Sequence, residues 1–154
     1  MTPAKKDVAI LVAEDDDDDF FLTERALRDS KFEGPLHRVK DGEELMEFLR
    51  AQATGEDSAA RRLLLLLLDL NMPRKDGREA LREIKSHPVL RMMPIVVLTT
   101  SGSESDIAAA YELGANTFIR KPASFEELSS FIKVFKEYWT DVAEIATRSA
   151  RGAP

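Results

Sequence analysis

Acidic, hydroxyl and amine side chains stand just beyond short apolar runs at four places in the chain. Glu14, Asp15 and Asp16 follow Val8–Ala13, and Asp69 with Asn71 follows Leu63–Leu68. Thr99 and Thr100 follow residues 95–98, and Lys121 stands just past residues 117–119. Carboxylates gathered in one place repel one another, and a hard divalent cation relieves that repulsion. Mg²⁺ suits such a group because it binds few carboxylates and keeps positions open for water and phosphate oxygen. An aspartate beside such a cation is a nucleophile toward phosphorus, while a lysine and a threonine neutralise and hydrogen-bond the phosphoryl oxygens. The chemistry these residue types suit is phosphoryl transfer to a carboxylate.

For those residues to meet, the runs that precede them must lie side by side. Val8–Ala13 and Leu63–Leu68 are short, apolar and stop at acids, the pattern of strands buried on both faces. Leucine favours helices by propensity, but a short run closed by Asn71-Met72-Pro73 reads as a strand, and it falls far below the ~20 residues that span a bilayer. Residues 95–98 form a third candidate strand, with weaker ones at 36–39 and 117–119. Between them, apolar residues at helical spacing cover about 19–30, 43–52, 78–86, 104–113 and 124–147. Breaks at Gly34-Pro35, Asp41-Gly42, Asp76-Gly77, His87-Pro88, Gly114 and Pro122 separate these elements. The alternation predicts an α/β fold, a five-stranded parallel sheet that is doubly wound, with ligands at the carboxyl ends of the strands.

The 154 residues suffice for one compact domain. Residues 1–6 read as a tail, 7–147 as the domain and 148–154 as a second tail. Lys and Arg number 22 against 28 Asp and Glu, a formal charge of −6, which argues against wrapping nucleic acid or an anionic membrane. The chain has no cysteine, which removes thiol catalysis, Cys-ligated zinc and disulfides. No apolar targeting segment precedes Val8, so a cytoplasmic location is expected.

Five separated segments carry a resemblance to a known family. Val12-Ala13-Glu14-Asp15-Asp16, Leu68-Asp69-Leu70-Asn71-Met72-Pro73, Asp76-Gly77, Val97-Leu98-Thr99-Thr100-Ser101 and Phe118-Ile119-Arg120-Lys121-Pro122 are similar, in order, to the marks of response-regulator receiver domains. Within that family His37, Asp41-Gly42, Leu70-Asn71-Met72-Pro73 and Thr99-Thr100-Ser101 resemble the small regulators that partner bacterial phytochromes. The resemblance implies a flavodoxin-like receiver fold and a signalling phospho-acceptor, not an enzyme acting on a separate substrate. It implies Asp69 as the acceptor for a histidine kinase, with Mg²⁺ or Mn²⁺ held by Glu14, Asp15, Asp69 and the backbone carbonyl of Asn71. Asp16 would point away from the metal, and Asp17, Asp18 and Asp19 would serve the first turn of helix one. Thr99 and Lys121 would contact the phosphoryl group. The bond before Pro122 is a candidate for the cis form, which would direct Lys121. Phe118 would be the switch aromatic, moving inward as Thr99 is drawn to the phosphate.

Near the C-terminus Leu128, Ile132, Phe135, Trp139, Val142 and Ala146 follow a four-three spacing, widened by Phe131, Tyr138 and Ile145. A helix over 124–147 would run ~36 Å at ~1.5 Å per residue, longer than the sheet beneath it needs. Leu128, Phe131, Ile132 and Phe135 are expected in the core. Tyr138, Trp139, Val142 and Ile145 are expected to form an exposed apolar face for a homodimer. So little chain follows residue 147 that no DNA-binding module is expected there, which leaves a stand-alone receiver.

Other readings compete at several of these residues. An acidic run is usually a solvated surface, which suits Asp17, Asp18 and Asp19 but not Asp15, which a strand delivers. Asp15, Asp17 and Asp19 have the spacing of a calcium loop, but Phe20 stands where that loop needs glycine. His37 and His87 lack metal-ligand spacing and are expected to be structural. A phosphatase of the haloacid-dehalogenase type would carry a second Asp where Asn71 stands. A non-phosphorylated scaffold would lack the acceptor, a metal acid or the lysine, and all of these are present.

Overall fold

A computed structural model of the chain describes residues 8–54 and 63–146. The tails read from the sequence, 1–6 and 148–154, lie outside the described residues, as do positions 7 and 147. Strands β1 (Val8–Ala13), β2 (Leu36–Val39), β3 (Leu63–Leu68), β4 (Ile95–Thr99) and β5 (Thr117–Arg120) form one parallel sheet in the order β2-β1-β3-β4-β5. Between and after them come helices α1 (Asp17–Asp29), α2 (Gly42–Thr54), α3 (Gly77–Ser86), α4 (Glu104–Glu112) and α5 (Phe125–Lys136). A 3₁₀ turn at Leu90–Met92 precedes β4, and a π turn, Glu137–Val142, extends α5. This is the doubly wound parallel fold that the alternation predicts, with an extended C-terminal helix.

Side-chain alternation explains why the central strands read as continuous apolar runs. Leu66 and Leu68 of β3, with Leu11 and Ala13 of β1 and Ile95 and Val97 of β4, pack with α2, α3 and α4. Leu65 and Leu67, with Ile10, Val12, Val96 and Leu98, pack with α1 and α5 on the other face. Burying a leucine side chain is worth about 1.5–3 kcal/mol, against the ~0.7 kcal/mol that separates ordinary residues in helix propensity. Burial therefore decides β3 as a strand.

Side-chain caps start the helices. Asp16 accepts the N–H of Asp19, Asp76 that of Glu79, Ser103 that of Asp106 and Ser124 that of Glu127. Asp41 accepts the N–H of Glu44 at the start of α2. Each such bond satisfies a donor that the helix leaves open, at about 1 kcal/mol. The cap at Asp16 begins α1 at Asp17, earlier than its apolar spacing suggests.

The C-terminal helix is shorter than its spacing predicts. Helical structure ends at Val142, not at 147, because Ala143 is extended (φ −74°, ψ 146°) and donates its N–H to the Tyr138 carbonyl at 2.7 Å. Beyond that turn Ile145 is buried in the core between the sheet, α1 and α5, so it does not belong to an exposed face. Trp139 is half-buried against the same core, with its ring edge-on to Tyr138 at 5.1 Å between centroids. Phe131, expected in the core, is 41% exposed. On a 3.6-residue period it lies at the edge of the Leu128, Ile132 and Phe135 stripe and in line with exposed Val134 and Tyr138. Among the described residues no helix is long and apolar enough to cross a membrane.

Gly77 packs directly against the backbone at the end of β3. Its N–H donates to the Leu70 carbonyl at 2.9 Å, and a Cβ there would lie 2.5 Å from the Asp69 carbonyl oxygen and 2.6 Å from the Leu70 Cα. Backbone atoms cannot rotate away from such a clash. Gly77→Ala is expected to destabilise the domain by about 1–3 kcal/mol, the usual range for overpacking. A lowered urea midpoint at unchanged m-value would show it.

Candidate functional site

The chain runs from β1 outward to β2 and then returns past β1 to β3, so the order reverses between β1 and β3. Ligands of such sheets sit outside the carboxyl ends at that point. There the Asp69 N–H donates to the Ala13 carbonyl and the Glu14 N–H to the Val39 carbonyl, both at 3.0 Å. The ladder thus carries Glu14 and Asp69 to the same edge of the sheet, where both are buried.

The two oxygens of Asp69 meet different partners. Oδ1 accepts the Thr99 hydroxyl at 2.8 Å and the Asn71 N–H at 3.0 Å. Oδ2 faces the Lys121 ammonium at 3.3 Å. Lys121 also pairs with Glu14 and, at 3.3 Å, with Asp19. Asn71 uses its side-chain amide to donate to Thr99 (3.3 Å) and Ser101 (3.0 Å), tying the β3 and β4 ends together. Glu14 accepts the Asp16 N–H at 3.2 Å.

Burial and charge oppose each other in this cluster. Burial pushes the Glu14 carboxyl up to about 7; the Lys121 hydrogen bond and charge pull it back, and Asp69 adds to the rise. Burial acts to lower the Lys121 pKa, but its bond to Glu14 and the charges of Asp69, Glu14 and Asp19 together hold it above the usual lysine value. The lysine is therefore charged at neutral pH, and the acids around it still carry unrelieved repulsion.

Glu14, Asp15 and Asp69 each offer a carboxylate oxygen, all within 4.8 Å of one another. Glu14 and Asp69 are buried while Asp15 is exposed, so the group is backed by protein and open to solvent. An all-oxygen donor set with an open side suits Mg²⁺ or Mn²⁺ and not a thiolate-loving metal. The donor chemistry fits the cation that the sequence implies.

The structure gathers Glu14, Asp15, Asp69, Asn71, Thr99 and Lys121 at one sheet edge. Asp16 faces the helix as its cap, away from this group. Phe118 lies on β5, half-buried against the α3 and α4 side, and its N–H donates to the Tyr111 hydroxyl at 3.2 Å. The peptide before Pro122 is trans, since no cis bond occurs among the described residues. The trans form is the lower in energy for X–Pro by about 0.5–1 kcal/mol, and the three carboxylates already direct Lys121. Asp17 and Asp19, expected to be merely solvated, pair with Arg38 (2.8 Å) and Lys121 respectively. Apart from the family position of Thr99-Thr100-Ser101, nothing in the sequence singled out Asp19, Arg38 or Ser101 as neighbours of the site. His37 stacks near Phe48 at 5.2 Å, and His87 Nδ1 accepts the N–H groups of Val89 and Leu90, both structural roles.

Comparison with known proteins agrees with this arrangement. The response regulator receiver domain model matches residues 10–133. Response regulator Rcp1 of Synechocystis sp. is 39% identical over 136 residues, which is 88% of this chain and 91% of that protein. The Mn(2+)-bound structure of Rcp1 superposes with a TM-score of 0.79 at 38% identity, covering 90% of this chain and 98% of that one. The phosphorylated cyanobacterial phytochrome response regulator RcpA gives a TM-score of 0.81 at 42% identity, covering 92% and 99%. FilR2 of Methanothrix harundinacea, a probable methanogenesis regulatory protein, is 38% identical over 136 residues, 88% of this chain and 86% of that protein. A doubly wound sheet with a carboxylate and lysine cluster at its switch point thus has a family: the chain belongs to the response regulator receiver domains. Members of that family are signalling phospho-acceptors and not enzymes that turn over a separate substrate.

A cation that displaces the Glu14 proton must bind more weakly as pH falls. With the Glu14 carboxyl near 7, Mg²⁺ affinity is expected to drop about tenfold from pH 8 to pH 6, the competition of one proton. Calorimetric titration at the two pH values measures it.

Proposed function

We propose that the chain is a single-domain response regulator, working in the cytoplasm, that accepts a phosphoryl group from a histidine kinase onto Asp69. The observation that carries this is the split environment of Asp69. Thr99 and Asn71 engage Oδ1, which leaves Oδ2, facing Lys121, as the attacking oxygen. A carboxylate nucleophile, unlike a hydroxyl, needs no general base. A P–O bond to Asp69 forms as the P–N bond of the kinase phosphohistidine breaks. The Lys121 ammonium and the Thr99 hydroxyl then turn to the phosphoryl oxygens. Glu14, Asp15, Asp69 and the Asn71 carbonyl would hold Mg²⁺, or Mn²⁺, which when bound neutralises phosphoryl charge. The near end-to-end match with Rcp1 and RcpA supports the single-domain reading. RcpA, by its name a phytochrome response regulator, supports a phytochrome-type kinase as the partner.

The signal would leave through β5. Thr99 and Lys121 both exchange partners on phosphorylation, and Phe118 stands between them in sequence. Beside it a groove of about 710 Å³ runs between β5 and the C-terminal helix, lined by Phe118, Phe131, Val134, Tyr138 and Trp139 among others. We assign this face, together with exposed Val142, to contact with a second copy of the chain. Ile145, being buried, has no part in it.

Incubation with Mg²⁺ and acetyl phosphate is expected to give one base-labile phosphoryl adduct by intact mass, absent from Asp69→Asn. An adduct that survives in Asp69→Asn would remove Asp69 from its role. Lys121→Ala is expected to bind Mg²⁺ yet acquire the adduct about a hundredfold more slowly, in line with the loss of a group that stabilises developing charge. A wild-type rate would sink that assignment. In sedimentation velocity the wild type is expected to dimerise at micromolar concentration and Val134→Glu to be monomeric. A monomeric wild type would end the dimer proposal.

A further inference from the structure

Arg38 takes no part in the proposed reaction, yet it is built into the acidic loop. It leaves β2 opposite Val12 of β1. Its Nε donates to the Glu14 carbonyl at 3.1 Å and one Nη to the Asp15 carbonyl at 3.3 Å. The other Nη pairs with the Asp17 carboxylate at 2.8 Å, and the guanidinium carbon lies 4.6 Å from the centre of the Phe20 ring. The side chain is 17% exposed. The two carbonyls belong to the segment that joins β1 to α1, and Asp17 and Phe20 to the start of α1.

The backbone ladder runs out where Arg38 arrives. The Glu14 N–H meets β2 at the Val39 carbonyl, and the guanidinium donates to the next two carbonyls, those of Glu14 and Asp15. A planar fork of fixed donors can hold two carbonyls and a carboxylate together, whereas an ammonium is a single point charge. The same cation sits against a run of acids that repel one another, while Lys40 reaches Asp17 only at 3.8 Å and from a more exposed position.

We propose that Arg38 is a positioning residue for the divalent cation: it locks the backbone that carries Glu14 and Asp15, so that their carboxylates are aligned before the cation arrives. The proposal rests on the reading that these acids hold the cation. Partners that orient metal ligands commonly alter affinity by about 10–100-fold when removed. A residue that merely fastened β2 to α1 would change stability and leave the affinity of the folded protein as it was.

The test compares wild type with Arg38→Met, which keeps an apolar stem over Phe20, and with Arg38→Lys. Mg²⁺ affinity is read by calorimetry and Mn²⁺ affinity by electron paramagnetic resonance. The Kd is expected to rise about tenfold in Arg38→Met and less in Arg38→Lys. Labelling by acetyl phosphate in Arg38→Met is expected to need more Mg²⁺ but to reach nearly the wild-type rate at saturation. Without metal, amide exchange over residues 15–19 is expected to quicken in both variants. An unchanged Kd in the folded Arg38→Met protein, or a rate that stays low at saturating Mg²⁺, overturns the proposal. If Arg38→Met does not fold, unchanged Kd and unchanged exchange in Arg38→Lys overturn it. Asp15→Asn keeps the two levels apart. If it binds Mg²⁺ as wild type does, or if wild type binds none, the cation reading itself fails, and the metal-free exchange still judges the clamp.

Discussion

An ammonium group on a side chain only 9% exposed must be matched by negative charge close by, and Lys121 meets Glu14, Asp19 and Asp69 together. Unpaired, a buried ion of this kind would cost several kcal/mol. The dependence is mutual, because Glu14 and Asp69 could not lie buried side by side without a cation between them. One lysine thus draws together the ends of β1 and β3 and the first turn of α1, and it does so from the end of β5. Its single positive charge faces three acids with Asp15 adjoining, and burial above all, with the Asp69 charge adding, still pushes Glu14 toward the protonated form. The side chains alone leave the site electrically incomplete.

Under the proposed function, that incompleteness would make a small chemical change at Asp69 visible at a distance. In the proposed reaction the groups that answer new charge on Asp69 come from the ends of β4 and β5, not from flexible loops. Each already has a defined partner to give up: Thr99 its bond to Oδ1, Lys121 its contacts with Glu14 and Asp19. A switch between two sets of well-formed contacts favours discrete states over gradual deformation. The groove beside β5 borders the same strand, so a shift of Phe118 would alter its wall.

The sheet and most of the site were legible in the sequence for one reason: strands buried on both faces must be apolar without interruption, so a polar residue ending such a run is conspicuous. Leu63–Leu68 ending at Asp69 is the clearest case. What escaped were contacts made across elements that no spacing relates. Asp19 looked like helix surface and Arg38 like an unremarkable strand residue, yet both turn toward the site. The C-terminal stripe misled in a different way. A repeat of apolar residues predicts a continuous helix, but a single wide turn at Glu137–Val142 changes the phase and sends Ile145 inward, while Phe131, ahead of that turn, stands at the edge of the α5 stripe. Local pattern cannot reveal such a change, because the core that receives Ile145 is assembled from α1, α5 and three strands.

The outer margin of the sheet limits what kind of partner can read this protein. β5 is an edge strand, and edges with free amides are templates for another chain to extend the sheet. Here the Tyr111 hydroxyl occupies the Phe118 N–H, and the Arg120 side chain reaches the Gly102 carbonyl between β4 and α4. Strand addition at Phe118 would have to displace the Tyr111 hydroxyl, which favours recognition at this edge through side-chain shape and charge. Backbone pairing accepts almost any extended peptide, whereas side-chain docking discriminates among closely related surfaces.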